Sequence, residues 1–360
     1  MLGGIGAALA IILFVTAHEA GHFLAAKAVG MKATQFFFGF GPKLWSTQKG
    51  ETEYGFKLLP IGGYVRIIGM TPLEEVAPED MGRTYREKKF WEKSVVVLAG
   101  VGMNFLIGFL LFYGVLLTTG VPGDPIPVVG VVVEDSPAAA AGLEAEDALV
   151  AIDGDEVETW TDATDALTAA GPGEASLTVR RGGELVSMNV VLEESPNVEG
   201  AGYLGVAPLT ERLDVGPFES IGLAGQLVGS AITDTFDALF QMVKPSSLAQ
   251  YLGVLGGDTD VPDEVRPVSP IGIVTIGAQA ETVALLVGIL AYVNVILATM
   301  NLLPLFPLDG GHFSVALYEK VTGRQADVRR LLPVAAAVIG LFIFLGFVAI
   351  ILDLTNPIDL

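Results

Sequence analysis

His18-Glu19-Ala20-Gly21-His22 lies inside an apolar run from Met1 to about Val29, so a zinc-site pattern stands where a membrane-crossing helix is expected. Residues i and i+4 share one face of a helix, which lets both imidazoles reach one ion while Glu19 projects beside it as a general base. The chain has three histidines, and two of them fall at this spacing. The plainer alternative, two core histidines and a core acid, runs against the cost of placing ionisable groups at membrane depth, where they mark function.

Composition places the chain among membrane proteins: 51% of residues are hydrophobic and the mean hydropathy is +0.58. A bilayer core of roughly 30 Å needs about 20 helical residues. Four runs meet that length: 1–29, 94–118, 282–303 and 331–352. The first is not expected to be a cleaved signal, because it lacks a basic flank and carries the zinc-site pattern itself. With no cysteine, the chain offers neither disulfides nor thiolate ligands, so His and carboxylate must hold any metal.

The net charge of -21 is unevenly spread. Residues 27–93 carry eleven Lys/Arg against eight Asp/Glu, residues 119–270 five against twenty-six, and the connection after the third span holds Lys320, Arg324, Arg329 and Arg330. The positive-inside rule then puts 27–93 and 304–330 in the cytoplasm, and both termini and the acidic middle outside. The expected location is the inner (cytoplasmic) membrane, crossed several times. An acidic outer face repels nucleic acid and anionic lipid, so nucleic acid is not an expected partner; the lipid bilayer is, because four runs are long enough to cross it.

Between the first two spans, 30–93, the runs Thr34–Pro42, Glu53–Pro60 and Ile61–Ile68 mix aromatic and β-branched residues with Gly and Pro, which predicts short strands in a cytoplasmic, membrane-associated hairpin. Residues 71–93 are expected to be a charged surface loop leading into the second span. Residues 122–208 change to short β-runs at Val128–Val133, Ala148–Ile152, Ser176–Arg180 and Leu185–Leu192. Within them, Glu134–Leu143, Asp147–Gly154 and Tyr203–Ala207 resemble the PDZ family in the permuted order of bacterial members. That resemblance implies capture of peptide C-termini or extended segments at a sheet edge. In 209–281, apolar residues from Phe218 to Val243 keep a helical spacing with Asp234 and Asp237 opposite, predicting an amphipathic helix that does not cross the membrane, followed by a Gly/Pro-rich loop at 253–270.

A zinc hydrolase needs a third protein ligand and an open position for water. The region 282–330 contains the candidate, Met300-Asn-Leu-Leu-Pro-Leu-Phe-Pro-Leu-Asp-Gly-Gly311, where Pro and Gly break the third span. Irregular backbone at that depth must be lined by protein or water. Asp309 is the carboxylate in the break, and His312 just beyond is the rival ligand.

These residues together resemble the site-2 protease family of intramembrane zinc metalloproteases, especially the bacterial regulator-of-sigma-E type. The match includes His18–His22, Asn301–Gly310, the PDZ insert, Pro60–Arg66 and Ala99–Asn104. It implies a polytopic α-helical membrane protein with four transmembrane helices, a membrane-associated β-hairpin and one extracytoplasmic PDZ domain. It also implies one Zn2+ per chain on His18, His22 and Asp309, Glu19 as the base that activates water, and single-span membrane proteins as substrates. Asn301, Pro304 and Asn104 would help hold unwound substrate. From the residues themselves, Gly62, Gly63, Tyr64 and Val65 suit an edge strand that receives substrate by strand addition. Two departures stand out: there is room for one PDZ domain where family members often have two, and Val101 replaces a common Pro. The readings from other classes are a catalytically inactive PDZ-containing membrane scaffold, against which the intact His18, Glu19, His22 and Asp309 speak, and an ion transporter, which would spread polar residues over several spans.

Overall fold

Leu2–Ala28 forms α1 because Ala, Leu and Ile fill it without a proline, and the helix stops at Gly30, whose positive φ of 69° suits a residue lacking Cβ. The computed structural model describes residues 2–70, 76–196, 198, 200–262 and 265–358. Residues 71–75 of the expected surface loop, and 263 and 264 of the expected Gly/Pro-rich loop, lie outside them.

After α1 come two long strands, β1 (Ala33–Lys49) and β2 (Thr52–Ile67), where the sequence reading expected three short ones. The register explains the difference. Phe36 pairs with both Tyr54 and Val65, and Phe38 with both Phe56 and Gly63, so β2 returns to flank β1 twice and leaves 63–67 at a sheet edge. The hairpin tip is pinned to the end of α1: Glu51 takes Lys27 at 2.5 Å and Arg83 at 2.8 Å. Those cations, Arg83 foremost, hold the Glu51 carboxyl down to about 2. Two short 3-10 turns, Pro78–Asp80 and Tyr85–Glu87, precede α2 (Phe90–Thr119), which starts four residues before the expected span.

The chain divides into two compact units, Thr119–Val215 and the remainder. In the first, β3 (Val121–Val132), α3 (Pro137–Ala141), β4 (Ala148–Ile152), β5 (Asp155–Glu156), α4 (Trp160–Ala170), β6 (Gly173–Arg181), β7 (Glu184–Glu194), β8 (Gly202–Tyr203) and β9 (Val206–Leu213) build a sheet of order β8-β7-β6-β4-β3-β9, with β5 beside β4. Leu149, Ile152, Leu177, Val179 and Val190 are fully buried at its centre, with Leu167 of α4 packed onto them. Ser136 caps α3 and a capping box of Thr159 and Asp162 starts α4. The unit runs a few residues past the expected 122–208 at each end, because β3 and β9 pair out to Val121 and Leu213.

The second unit continues with α5 (Pro217–Met242), α6 (Pro245–Leu255), α7 (Pro270–Gln279), α8 (Val283–Leu302), α9 (Asp309–Thr322) and α10 (Leu332–Thr355). Pro at the first turn opens α5, α6 and α7, where its missing N–H costs nothing. The sequence reading foresaw α5 but not α6, α7 or α9. Among the described residues, Leu2–Ala28, Phe90–Thr119, Val283–Leu302 and Arg329–Thr355 are long and apolar enough to cross a membrane. Their outer faces keep large apolar side chains more than half exposed, such as Leu9 and Leu13 on α1 and Ile343 and Phe347 on α10.

Candidate metal centre

The site begins with the close approach of α1 and α2. A Cβ on Gly100 would lie 2.4 Å from His22 Nε2, so only glycine lets the imidazole sit against α2. There His22 Nδ1 is 2.8 Å from the Val96 carbonyl. A carbonyl accepts only, so Nδ1 carries the proton and donates it, leaving the Nε2 lone pair free for an ion. His18, one turn earlier, presents its ring edge-on at 4.6 Å between centroids.

The third side chain comes from the break between α8 and α9. After Leu302 the chain turns through Leu303–Leu308 and starts α9 at Asp309. A Cβ on Gly310 would lie 2.0 Å from the Leu302 carbonyl oxygen, so glycine lets this turn fold back on the end of α8. Asp309 Oδ2 then lies 3.0 Å from His18 Nε2 and 3.2 Å from His22 Nε2, and the two Nε2 atoms are 3.1 Å apart. Zinc bonds of about 2.0–2.1 Å in tetrahedral geometry imply donor separations of about 3.3 Å. The triangle matches that spacing, both histidines are buried, and Asp309 Oδ2 is a buried atom with no hydrogen-bond donor. The residues fit a zinc ion. His312, the rival ligand, stands outside this cluster with its ring 4.8 Å from that of Phe306.

Glu19 is half-buried beside the triangle, and its Oε2 accepts a hydrogen bond from the Val65 N–H at 3.0 Å. Gly63 backs it, its ideal Cβ position 3.7 Å from Glu19 Cγ. Gly63 and Val65 are thus brought to Glu19, where in these contacts they serve the carboxylate, whereas Gly62 lies against Phe40 and Val15. Tyr64 turns away, stacked on Phe37 at 5.7 Å with its hydroxyl 3.2 Å from Gln35. Asn301 is half-buried and donates to the Leu297 carbonyl of its own helix at 2.9 Å, while Pro304 is exposed in the break. Asn104 is buried on α2, where its carbonyl accepts from Asn294 at 2.8 Å. Sequence reasoning carried Gly100 only as part of the Ala99–Asn104 element, without its role against His22, and missed Val96 and Asn294. Of these two only Asn294, a carboxamide in the middle of an apolar span, carried a signal that could have been read.

The sequence matches the family described as Peptidase family M50 over residues 6–347. The chain belongs to Peptidase family M50. Zinc metalloprotease Rip1 of Mycobacterium tuberculosis (strain H37Rv) is 32% identical, over 98% of this chain and 97% of that protein. The protein of the same name from Mycolicibacterium smegmatis is 30% identical over the full length of both. A solved PDZ domain of an SdrC-like protein from Listeria monocytogenes is 20% identical over 25% of this chain and 90% of that one, with a TM-score of 0.20, too slight a likeness to argue from. The M50 assignment bears out the resemblance to site-2 proteases. This M50 protein is a zinc metalloprotease, and its four long apolar helices make it a multi-pass membrane protein.

Proposed function

We propose that this M50 protease hydrolyses peptide bonds in or near the membrane-spanning segment of single-span membrane proteins. The observation carrying the reading is that His18, His22 and Asp309 converge within hydrogen-bond distance on helices built to cross a bilayer, with Glu19 alongside. Zinc bound by His18, His22 and Asp309 supplies a Lewis acid for the scissile carbonyl and lowers the pKa of water to about 7. Glu19 takes the proton of the attacking water and delivers it to the leaving amine. Asp309, at the start of α9, neutralises charge there and favours the helix N-terminus.

A helical substrate hides its carbonyls and must unwind before attack. The edge of β2 at residues 63–67, next to Glu19, suits an extended segment, and Asn301 in the last turn of α8 and Pro304 in the break beyond it would help hold that segment. The excess of Lys and Arg at 27–93 and 320–330 supports a cytoplasmic placement for the hairpin and the site, with both termini and residues 119–215 outside. The 119–215 unit reads as a PDZ domain by its own elements: a strand, the short helix α3 after Ser136, then β4 and a turn, with Tyr203–Val206 tied back by Val133 and Ala138 amides to Gly205 and Leu204 carbonyls at 2.9 Å. β9, which ends the sheet, is the edge for a peptide. Such a domain selects substrates already trimmed outside, as in regulated intramembrane proteolysis such as anti-sigma factor release or clearance of signal-peptide remnants.

The test is cleavage of a single-span reporter by the purified chain, with the cut site mapped by mass spectrometry. Cuts within about five residues of the reporter's apolar segment support the reading. Cuts confined to its soluble domains refute it.

A further inference from the structure

His22 has its outer partner in the Val96 carbonyl, but His18 does not: its Nδ1 is buried without a hydrogen-bond partner. Two other buried side-chain atoms on neighbouring helices share that condition, Asn104 Oδ1 of α2 and Asn294 Oδ1 of α8. In a membrane interior, where no bulk water can stand in, such an atom is costly if left alone.

The helices bring these three to one level. One cluster joins Ala25 and Ala26 of α1 to Val96 and Val97 of α2, His22 lies on Gly100, and a second cluster joins Phe14 to Ile107. The antiparallel register between those contacts sets His18 opposite Asn104. Leu290 and Leu297 of α8 belong to the Phe14 cluster, and Asn294 lies between them on the same face, its Nδ2 donating to the Asn104 carbonyl at 2.8 Å.

We infer that Asn104 and Asn294 together hold one water molecule against His18 Nδ1, and that this water fixes the tautomer and orientation of His18 as a zinc ligand. One water then partners all three atoms. With Nε2 given to the metal, His18 carries its proton on Nδ1 and donates it, and the water accepts that bond and donates its two hydrogens to Asn104 Oδ1 and Asn294 Oδ1. Asn104 is therefore a positioning residue, acting through His18 rather than touching substrate. The inference rests on the reading of His18 as a zinc ligand.

The experiment measures zinc affinity of the purified full-length protein in detergent by competition with a chromophoric chelator, a readout independent of turnover. Loss of an outer partner of a metal-bound histidine lowers metal affinity about 10–100-fold. Asn104→Leu, close in shape and without the acceptor, is expected to show that loss, and Asn294→Leu a loss in the same direction. Asn104→Asp keeps an acceptor aimed at the histidine and is expected to bind zinc at least as tightly as the parent. A role in helix packing alone predicts that Asp is as harmful as Leu, and a role in holding substrate alone predicts parental zinc affinity with a raised KM; either result overturns the inference. Should Asn104→Leu fail to insert, Asn294→Leu and Asn104→Asp still decide. His18→Ala separates the two levels: retained zinc there refutes the ligand reading, whereas zinc lost in His18→Ala but kept in Asn104→Leu refutes only the bridging water.

Discussion

The main-chain N–H of Val65 donates to the carboxylate of Glu19 at 3.0 Å, across 46 residues of sequence. The edge of the hairpin thereby grips the side chain proposed as general base. A strand chosen from its sequence for holding substrate is, in this structure, also part of the apparatus that aims the base.

Val65→Pro removes that donor. A hydrogen bond to a charged group is worth about 1.5–3 kcal/mol, and each 1.36 kcal/mol is a factor of ten in rate, so kcat is expected to fall about 10–100-fold with zinc still bound. Val65→Thr keeps the amide and is expected to stay within about threefold of the parent, since its backbone bond is unchanged. A rise in KM alongside the fall in kcat in the proline variant indicates that substrate uses the same edge. Indifference to proline removes Val65 from the mechanism.

Asp309→Asn keeps the shape of the proposed third ligand but not its charge. A neutral amide is a poor zinc ligand, so metal content of the purified protein and cleavage are expected to fall together. Unchanged zinc content and rate would mean that His312 or another residue is the third ligand in its place.

In the 119–215 unit, Asp147 is almost fully buried and bound by Arg181, with Nη2 at 2.6 Å and Nε at 2.8 Å, and accepts from the Glu144 amide at 2.9 Å. Arg181 foremost holds the Asp147 carboxyl below the usual aspartate range. A carboxyl lowered in the folded state contributes stability that is present above its unfolded pKa of about 3.9 and is lost as pH falls through the folded value. Protection of the β4 and β6 amides against hydrogen exchange, relative to the intrinsic rate at each pH, is therefore expected to fall below about pH 4, and Arg181→Met to flatten that dependence. An unchanged pH response in Arg181→Met contradicts the assignment.

Arg266 and Asp353 form a buried pair at the end of α10, where Asp353 Oδ2 also accepts from the Ser269 amide at 2.8 Å before α7 begins. Removing one partner of a buried pair costs about 3–5 kcal/mol, and replacing both by apolar residues costs far less. Arg266→Met is expected to lower Tm in detergent, and the double change with Asp353→Leu to recover most of the loss. A double variant as unstable as the single one refutes this account of the pair.

The parts of the molecule legible in the sequence were those written in local pattern. The four long apolar runs, the His18–His22 spacing and the Pro/Gly break before Asp309 each announce themselves within about twenty residues. The α6, α7 and α9 helices did not, because they are short and lie in stretches where Gly, Pro and acids suggest loop. The double pairing of β1 by β2 depends on contacts such as Phe36 with both Tyr54 and Val65, which alternation along one strand cannot reveal. The grip of Val65 on Glu19 and the bond from Asn294 to the Asn104 carbonyl arise from helix and strand packing between residues tens to hundreds apart, so no local pattern encodes them.

The central claim, that Glu19 moves the proton while His18, His22 and Asp309 hold the metal, is tested most directly by Glu19→Gln. Zinc per chain and cleavage of a single-span substrate are measured on the same purified sample. The account predicts parental zinc content with cleavage reduced by at least about 10²–10⁴-fold, the usual contribution of a general base. A Glu19→Gln protein that binds zinc and still cleaves at a parental rate contradicts it.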